Sequence, residues 1–377
     1  MKKVGVYIHI PFCKQKCIYC DFISYANKAE LQEKYVQALI KEIKEWKRQN
    51  KDIVIDTIYI GGGTPSYLES ENIVKILDEL KEQTFPNAQI TIEVNPGTVT
   101  TQKLEDYKNA GVNRLSIGLQ STKDELLKLI GRIHNFDEFL NTYKQARKVG
   151  FENINIDLMI GLPTQTIQDI KETLKTVTEL KPEHVSVYSL IVEEGTPIDN
   201  QIEQGELELP NEEMERNMYW YVKNFLELQG FKQYEISNFS KPGAESIHNM
   251  NCWEQREYKG FGVAAHSYVD KVRFSNTESL EQYIKNIENN DFEKNITIQE
   301  KQTEIEEKNE YMLLGLRKIE GVSIQEFKNK FVDNPIFLFK EELQRLTFEG
   351  LIIINSDRIQ LTNKGLDLAN LVWEEFV

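Results

Sequence analysis

The chain has 377 residues, enough for two or three domains, and 40% of them are hydrophobic, enough for a sizeable core. Its formal net charge of −15, with no run of Lys and Arg interleaved with aromatics, speaks against nucleic acid as a partner. No apolar run reaches the roughly 18 residues of a transmembrane segment and the N-terminus reads as a strand, not a signal peptide, so a cytoplasmic, reducing location is expected; peripheral contact with a membrane surface is left open.

The apolar run around Tyr7 to Ile10 reads as a first β-strand that leads into Cys13, Cys17 and Cys20, spaced C-x3-C-x2-C. Three thiolates at that spacing can surround one iron–sulfur cube, each binding one iron and leaving the fourth iron open. A disulfide framework does not fit three clustered cysteines without a secretory signal. Structural zinc would want a fourth ligand, and the nearest histidine, His9, lies on the strand where packing claims its side chain. A [4Fe–4S] cluster is therefore the preferred reading.

Beyond the loop, Leu31, Tyr35, Leu39, Ile43 and Trp46 recur at helical spacing and predict a helix over 30–49. Ile55 to Ile60 is a strand ended by Gly61-Gly62-Gly63-Thr64-Pro65. The unit then repeats: helix 70–82 and strand 90–94, helix 101–110 and strand 114–120, helix 136–148 and strand 154–160. A helix from 167 and the strand His184 to Ile191 follow. Ser121 with Asp124 and Thr166 with Asp169 read as capping boxes.

Six strands alternating with helices imply an α/β fold with a parallel sheet and right-handed crossovers. The expected architecture is a partial (β/α)6 barrel, with a doubly wound sheet as the alternative that alternation cannot separate. In such a barrel the site lies at the carboxyl ends of the strands. The cysteine loop, the Gly61–Pro65 turn, Glu93, Gln120 and Asp157 fall at or near five successive ends. Taken singly, each of those three side chains could equally cap a helix or bond to a sheet end.

Residues 200–290 are less regular, with a helix around Tyr219 to Leu226, a motif-like stretch from His248 to Tyr268 and a helix near 280–287. The charged piece Gln299 to Asn309 reads as the start of a helix. Ser323 with Glu326, Asn334 before Pro335 and two short strands near 352 and 360 then describe a winged-helix-like α+β module. Its acidic balance favours a packing role over DNA binding. The expected division is a barrel over 1–200, an extension over 201–295 and the C-terminal module over 296–377.

The strings Y-I-H-I-P-F-C-K-Q-K-C-I-Y-C-D-F, Y-I-G-G-G-T-P, I-E-V-N-P-G, L-S-I-G-L-Q-S, G-R-I-H, N-I-D-L-M-I-G-L-P and H-N-M-N-C-W resemble the radical SAM enzymes. Within them, the chain resembles the oxygen-independent coproporphyrinogen III oxidase group and, most closely, its HemW-type haem chaperones. The resemblance implies S-adenosylmethionine at the open iron of a cluster on Cys13, Cys17 and Cys20. It places Tyr7, Tyr19, Gly62, Gly63, Thr64, Glu93, Gln120, Arg132 and Asp157 near that ligand. It further implies haem binding, with His248 as a candidate ligand and Trp253 against the macrocycle, and transfer to an acceptor protein that could lie at a membrane surface.

Two positions depart from the group's patterns. Phe22 stands where the dehydrogenase has a fourth loop cysteine, which puts porphyrinogen oxidation in doubt, though a tetrapyrrole-directed radical enzyme stays the alternative. Cys252 replaces the tyrosine of H-N-x-x-Y-W and reads as a small buried residue before it reads as a haem ligand.

Overall fold

The computed structural model describes residues 2–377. Six strands, β1 (Lys2–Ile10), β2 (Ile53–Gly62), β3 (Thr84–Val94), β4 (Arg114–Gln120), β5 (Ile154–Ile160) and β6 (His184–Ser189), lie side by side in chain order, each parallel to the next. That order decides between the two expected architectures. A doubly wound sheet reverses direction at a switch point, whereas here every crossover steps the same way, which keeps the helices on one face and curls the sheet around the other. The fold is the partial barrel.

Alternation along the strands sorts the two faces. Val6, Ile8, Ile58, Ile60, Ile92, Leu115, Ile117 and Ile156 face the helices and form one apolar core with Tyr35, Leu39 and Ile43 of the helix Gln32–Gln49 and with Ile73 and Leu77 of the helix Ser70–Leu80. The residues in alternate phase are polar: Tyr7 and His9, Thr57 and Tyr59, Thr91 and Glu93, Arg114 and Ser116, Asn155 and Asp157, His184 and Ser186. A parallel barrel is usually filled by branched apolar side chains. This interior is built as a site.

Short strands extend the sheet on both sides. β8 (Asn238–Ser240) adds antiparallel to β6, and β7 (Lys232–Gln233) antiparallel to β8, while β9 (Tyr258–Phe261) pairs parallel with β1 and continues through β10 (His266–Val269), β11 (Val272–Asn276) and β12 (Ile296–Lys301). Gln299 to Lys301 therefore belong to a strand, and the helix expected there begins only at Glu304, behind a Thr303–Glu306 capping box. Ser121 is likewise no helix cap: the helix starts at Asp124 after Lys123, and Ser121 Oγ accepts from the Lys123 N–H at 3.1 Å. Thr166 and Asp169 do form the expected box, and Asn135 with Glu138 forms another.

A second apolar core, from Tyr311 to Phe376, holds the C-terminal module, whose hairpin pairs Ile352–Ile354 with Arg358–Leu361. The expected boundary at 296 falls on the first residue of β12. Among the described residues no helix is long and apolar enough to cross a membrane.

Candidate cofactor site at the carboxyl end of the barrel

Cys13, Cys17 and Cys20 are free thiols on the wall of a cavity of about 510 Å³. The Gly61–Thr64 turn closes on their loop through Gly63 N–H to the Ile10 carbonyl and Thr64 N–H to the Phe12 carbonyl, both 2.9 Å. Only glycine permits this approach. A Cβ on Gly63 would lie 3.0 Å from Cys13 Sγ, and one on Gly62, where φ is +110°, would lie 2.6 Å from the His9 ring. Thr64 Oγ1 donates to Cys13 Sγ at 3.5 Å.

The donor set separates the two metal readings. His9 is held between the Tyr7 phenol at 3.0 Å and the Ile23 carbonyl at 2.8 Å, so neither ring nitrogen is open to a metal. Among the described residues no three His, Cys, Asp or Glu side chains converge so as to hold one metal ion. A lone zinc needs that convergence, whereas a cube takes each thiolate on a different iron. Burial pushes the Cys20 thiol up to about 11 and raises that of Cys13.

Two carboxylates stand on the neighbouring wall. Glu93 Oε1 accepts from the Tyr59 hydroxyl at 2.9 Å and Oε2 from Gly62 N–H at 3.2 Å. Burial, and next the Asp157 charge, push Glu93 up to about 7. Asp157 accepts from Asn155 Nδ2 at 2.7 Å and Ser116 Oγ at 3.0 Å, and burial raises it as well. Acceptors in such a wall suit the ammonium or hydroxyl groups of a ligand.

Arg132 supplies the opposite charge. It reaches Cys17 Sγ at 3.6 Å, the Gly118 carbonyl at 2.9 Å and Asn95 Oδ1, while its buried Nε has no partner. A guanidinium with a spare donor suits a carboxylate. Burial raises the Tyr19 phenol, against the pull of Arg132. Gln120 ends β4 with φ at +69° and joins the same wall.

All three cysteines and eight of the ten expected cofactor-binding residues line this cavity; Tyr7 and His248 do not. Tyr7 stacks on Tyr59 at 6.4 Å inside the barrel. His248 comes from the helix Ile247–Trp253 at the other end of the barrel, where its Nδ1 lies 3.0 Å from Thr57 Oγ1 and its ring 5.4 Å from that of Tyr59. The residue is 7% exposed, and burial holds its imidazole down at about 4. Burial likewise pushes the Cys252 thiol up to about 11.

Tyr59, Asn95 and Tyr188 also line the cavity and were not expected. Tyr59 is in phase with Gly61, and Tyr188 with Ser186, so strand alternation carried the signal for both. Asn95 directly precedes the Pro96-Gly97 turn.

Residues 7–177 match the family model of the Radical SAM superfamily, and residues 302–368 that of the HemN C-terminal domain. Over 376 residues the chain is 40% identical to the heme chaperone HemW of Bacillus subtilis, covering 99% of each. The chain belongs to the HemW family. A HemW from Lactococcus lactis is 37% identical, covering 100% of this chain and 98% of its own. The HemW fold here superposes on coproporphyrinogen III oxidase (HemN) from Escherichia coli, a radical SAM enzyme, with a TM-score of 0.86 at 24% identity, covering 100% of this chain and 90% of that one. That likeness carries the fold alone.

Proposed function

We propose that the chain is a haem chaperone, which binds haem and passes it to an acceptor protein, and which carries a [4Fe–4S] cluster with exchangeable S-adenosylmethionine. The observation that carries this reading is the 40% identity to a heme chaperone across 99% of both chains. Cys13, Cys17 and Cys20 would hold the cluster. Bound there, the cluster would supply an electron and an iron open to S-adenosylmethionine. Thr64 and the turn carbonyls suit the ammonium, Arg132 the carboxylate, and Glu93 with Asp157 the hydroxyl-bearing part.

For haem, His248 is the candidate ligand. Thr57 Oγ1 occupies its Nδ1 at 3.0 Å, so Nε2 would be the nitrogen offered to the iron. The three-part division at 200 and 295 assigns its helix to the extension. The acidic surface argues against nucleic acid, and three free thiols suit the reducing cytoplasm.

The test is anaerobic reconstitution, followed by haem titration, haem transfer to an apo-acceptor and incubation with coproporphyrinogen III. Haem binding and transfer without porphyrinogen turnover is the expected result. Steady multiple turnover to the divinyl product would replace the chaperone reading with the dehydrogenase one. Haem affinity unchanged by His248→Ala would move the haem site elsewhere.

A further inference from the structure

Below the cavity, Asp157 is the end of a buried hydrogen-bond chain whose polarity is fixed at every step. A carboxylate only accepts, so Asn155 must turn its Nδ2 to Asp157 Oδ1, at 2.7 Å. Asn155 Oδ1 then faces His184 Nδ1 at 2.6 Å, and that nitrogen must carry the hydrogen. His184 is buried and held neutral, so Nε2 is an acceptor, and the Tyr234 hydroxyl donates to it at 2.8 Å. The Tyr234 oxygen in turn accepts the backbone N–H of Ser246 at 3.2 Å. Ser246 is the N-cap of the helix Ile247–Trp253, the helix that brings His248 to the barrel floor.

Every donor in the chain points from that helix toward the cavity carboxylate. Side bonds from Asn155 Nδ2 to Ser116 Oγ at 2.7 Å and from Ser186 Oγ to Asn155 Oδ1 at 3.1 Å fix the amide's orientation further. Neither ring nitrogen of His184 is left for a metal or haem. We infer that His184 and Tyr234 are positioning residues, which set the Asp157 carboxylate for its ligand and link the seating of the His248 helix to occupancy of the S-adenosylmethionine cavity. The inference rests on the proposed occupant of that cavity. Linkage is reciprocal: a ligand that favours the aligned Asp157 stabilises the seated helix, and release of the helix weakens the ligand.

The experiment uses the reconstituted full-length protein with S-adenosylmethionine as the probe, combining calorimetric titration with hydrogen exchange of the 246–253 amides. In the native protein, S-adenosylmethionine slows exchange of those amides. Tyr234→Phe keeps the ring and removes the hydroxyl; affinity should fall about five- to tenfold, the scale of one hydrogen bond, and the ligand should no longer slow exchange. In an Asp157→Asn background, Tyr234→Phe should change affinity no further. Tyr143→Phe is the control, since its phenol donates to the Leu180 carbonyl at 2.9 Å outside the barrel interior and its loss tests stability alone.

Equal loss of affinity in Tyr143→Phe and Tyr234→Phe would overturn the inference, as would additive effects of Tyr234→Phe and Asp157→Asn. Ligand protection of the 246–253 amides persisting in Tyr234→Phe would do the same. Native protein with a competent cluster that binds no S-adenosylmethionine would instead remove the cofactor reading on which the inference stands.

Discussion

Glu93 is held ready to lose or keep a proton near neutrality. Its carboxyl is pushed from the ordinary 4.5 up to about 7 because burial outweighs the bonds from Tyr59 and Gly62. Between those pH values the folded, ligand-free protein binds a proton that the unfolded chain does not, so stability falls as pH rises through the window and stays low above it. The gap corresponds to about 3 kcal/mol at pH 8. Glu93→Gln removes this penalty but sets a donor against Gly62 N–H, so a net gain of about 1–2 kcal/mol at pH 8 and a net loss of about 1–2 kcal/mol at pH 4.5, where only the mismatched donor counts, are expected. Thermal melts of ligand-free protein at the two pH values check it; an equal gain at both would mean that ionisation is not the cause. Gly63 makes the companion case. A Cβ there meets Cys13 Sγ and two carbonyls at 3.0 Å, so Gly63→Ala should displace the thiol and cut iron and sulfide incorporation by more than half, with the far-UV circular dichroism unchanged.

At the scale of elements, Glu42 fastens the helix Gln32–Gln49 to the added strands. Its Oε2 accepts from Gly262 N–H at 2.9 Å and the Tyr283 hydroxyl at 2.6 Å, its Oε1 from Asn276 Nδ2 at 3.0 Å, and Lys259 Nζ lies 3.6 Å away. Both charged residues are buried. Removing one partner strands the other, so Glu42→Ala should cost about 3–5 kcal/mol and raise amide exchange in β9 and β11; a loss under about 1 kcal/mol would show the cluster to be solvated. This joint also marks where sequence reading stopped. The six barrel strands were legible because each is an apolar alternation between helical stripes, and the cavity residues because they fall at matching strand ends. Strands β9 to β12 are short and polar, and the pairing that joins them to the barrel spans about 250 residues, as Ile8 with Phe261, so no local period announces them. Glu42 sits beside Ile43 in an apolar stripe and reads as surface until the far strand arrives. His248 was legible as a special residue, but its direction depends on the chain returning to the barrel floor.

At the scale of the whole molecule, two apolar cores share a polar and aromatic joint. Arg317 lies at the C-terminal end of the first helix of the C-terminal module, its guanidinium carbon 4.7 Å from the Trp253 ring centre and 4.2 Å from that of Trp373. Its backbone carbonyl accepts from Ile236 N–H at 3.2 Å, and Ile319 N–H donates to the Tyr234 carbonyl at 3.0 Å. Burial lowers the Arg317 guanidinium, opposed by the nearby Glu235 carboxylate. The charge is thus kept by two aromatic faces and one anion, and cation–π contact at a desolvated site contributes about 2 kcal/mol. Trp253 closes the helix that carries His248, so the joint grips that helix from the C-terminal module while Ser246 holds its start. Arg317→Ala removes the grip and leaves Glu235 buried without its cation. The native protein should melt in one calorimetric transition, because the module cannot let go without exposing both tryptophans. The variant should show the transition of the Tyr311–Phe376 core separating to lower temperature by several degrees, with tryptophan fluorescence shifting to the red in that first step. Arg317→Lys keeps the charge but loses the flat stacking face and should fall between the two. A single, equally lowered transition in Arg317→Ala would place the coupling of the two cores in other contacts, such as Trp220 Nε1 to Asp367 at 2.6 Å.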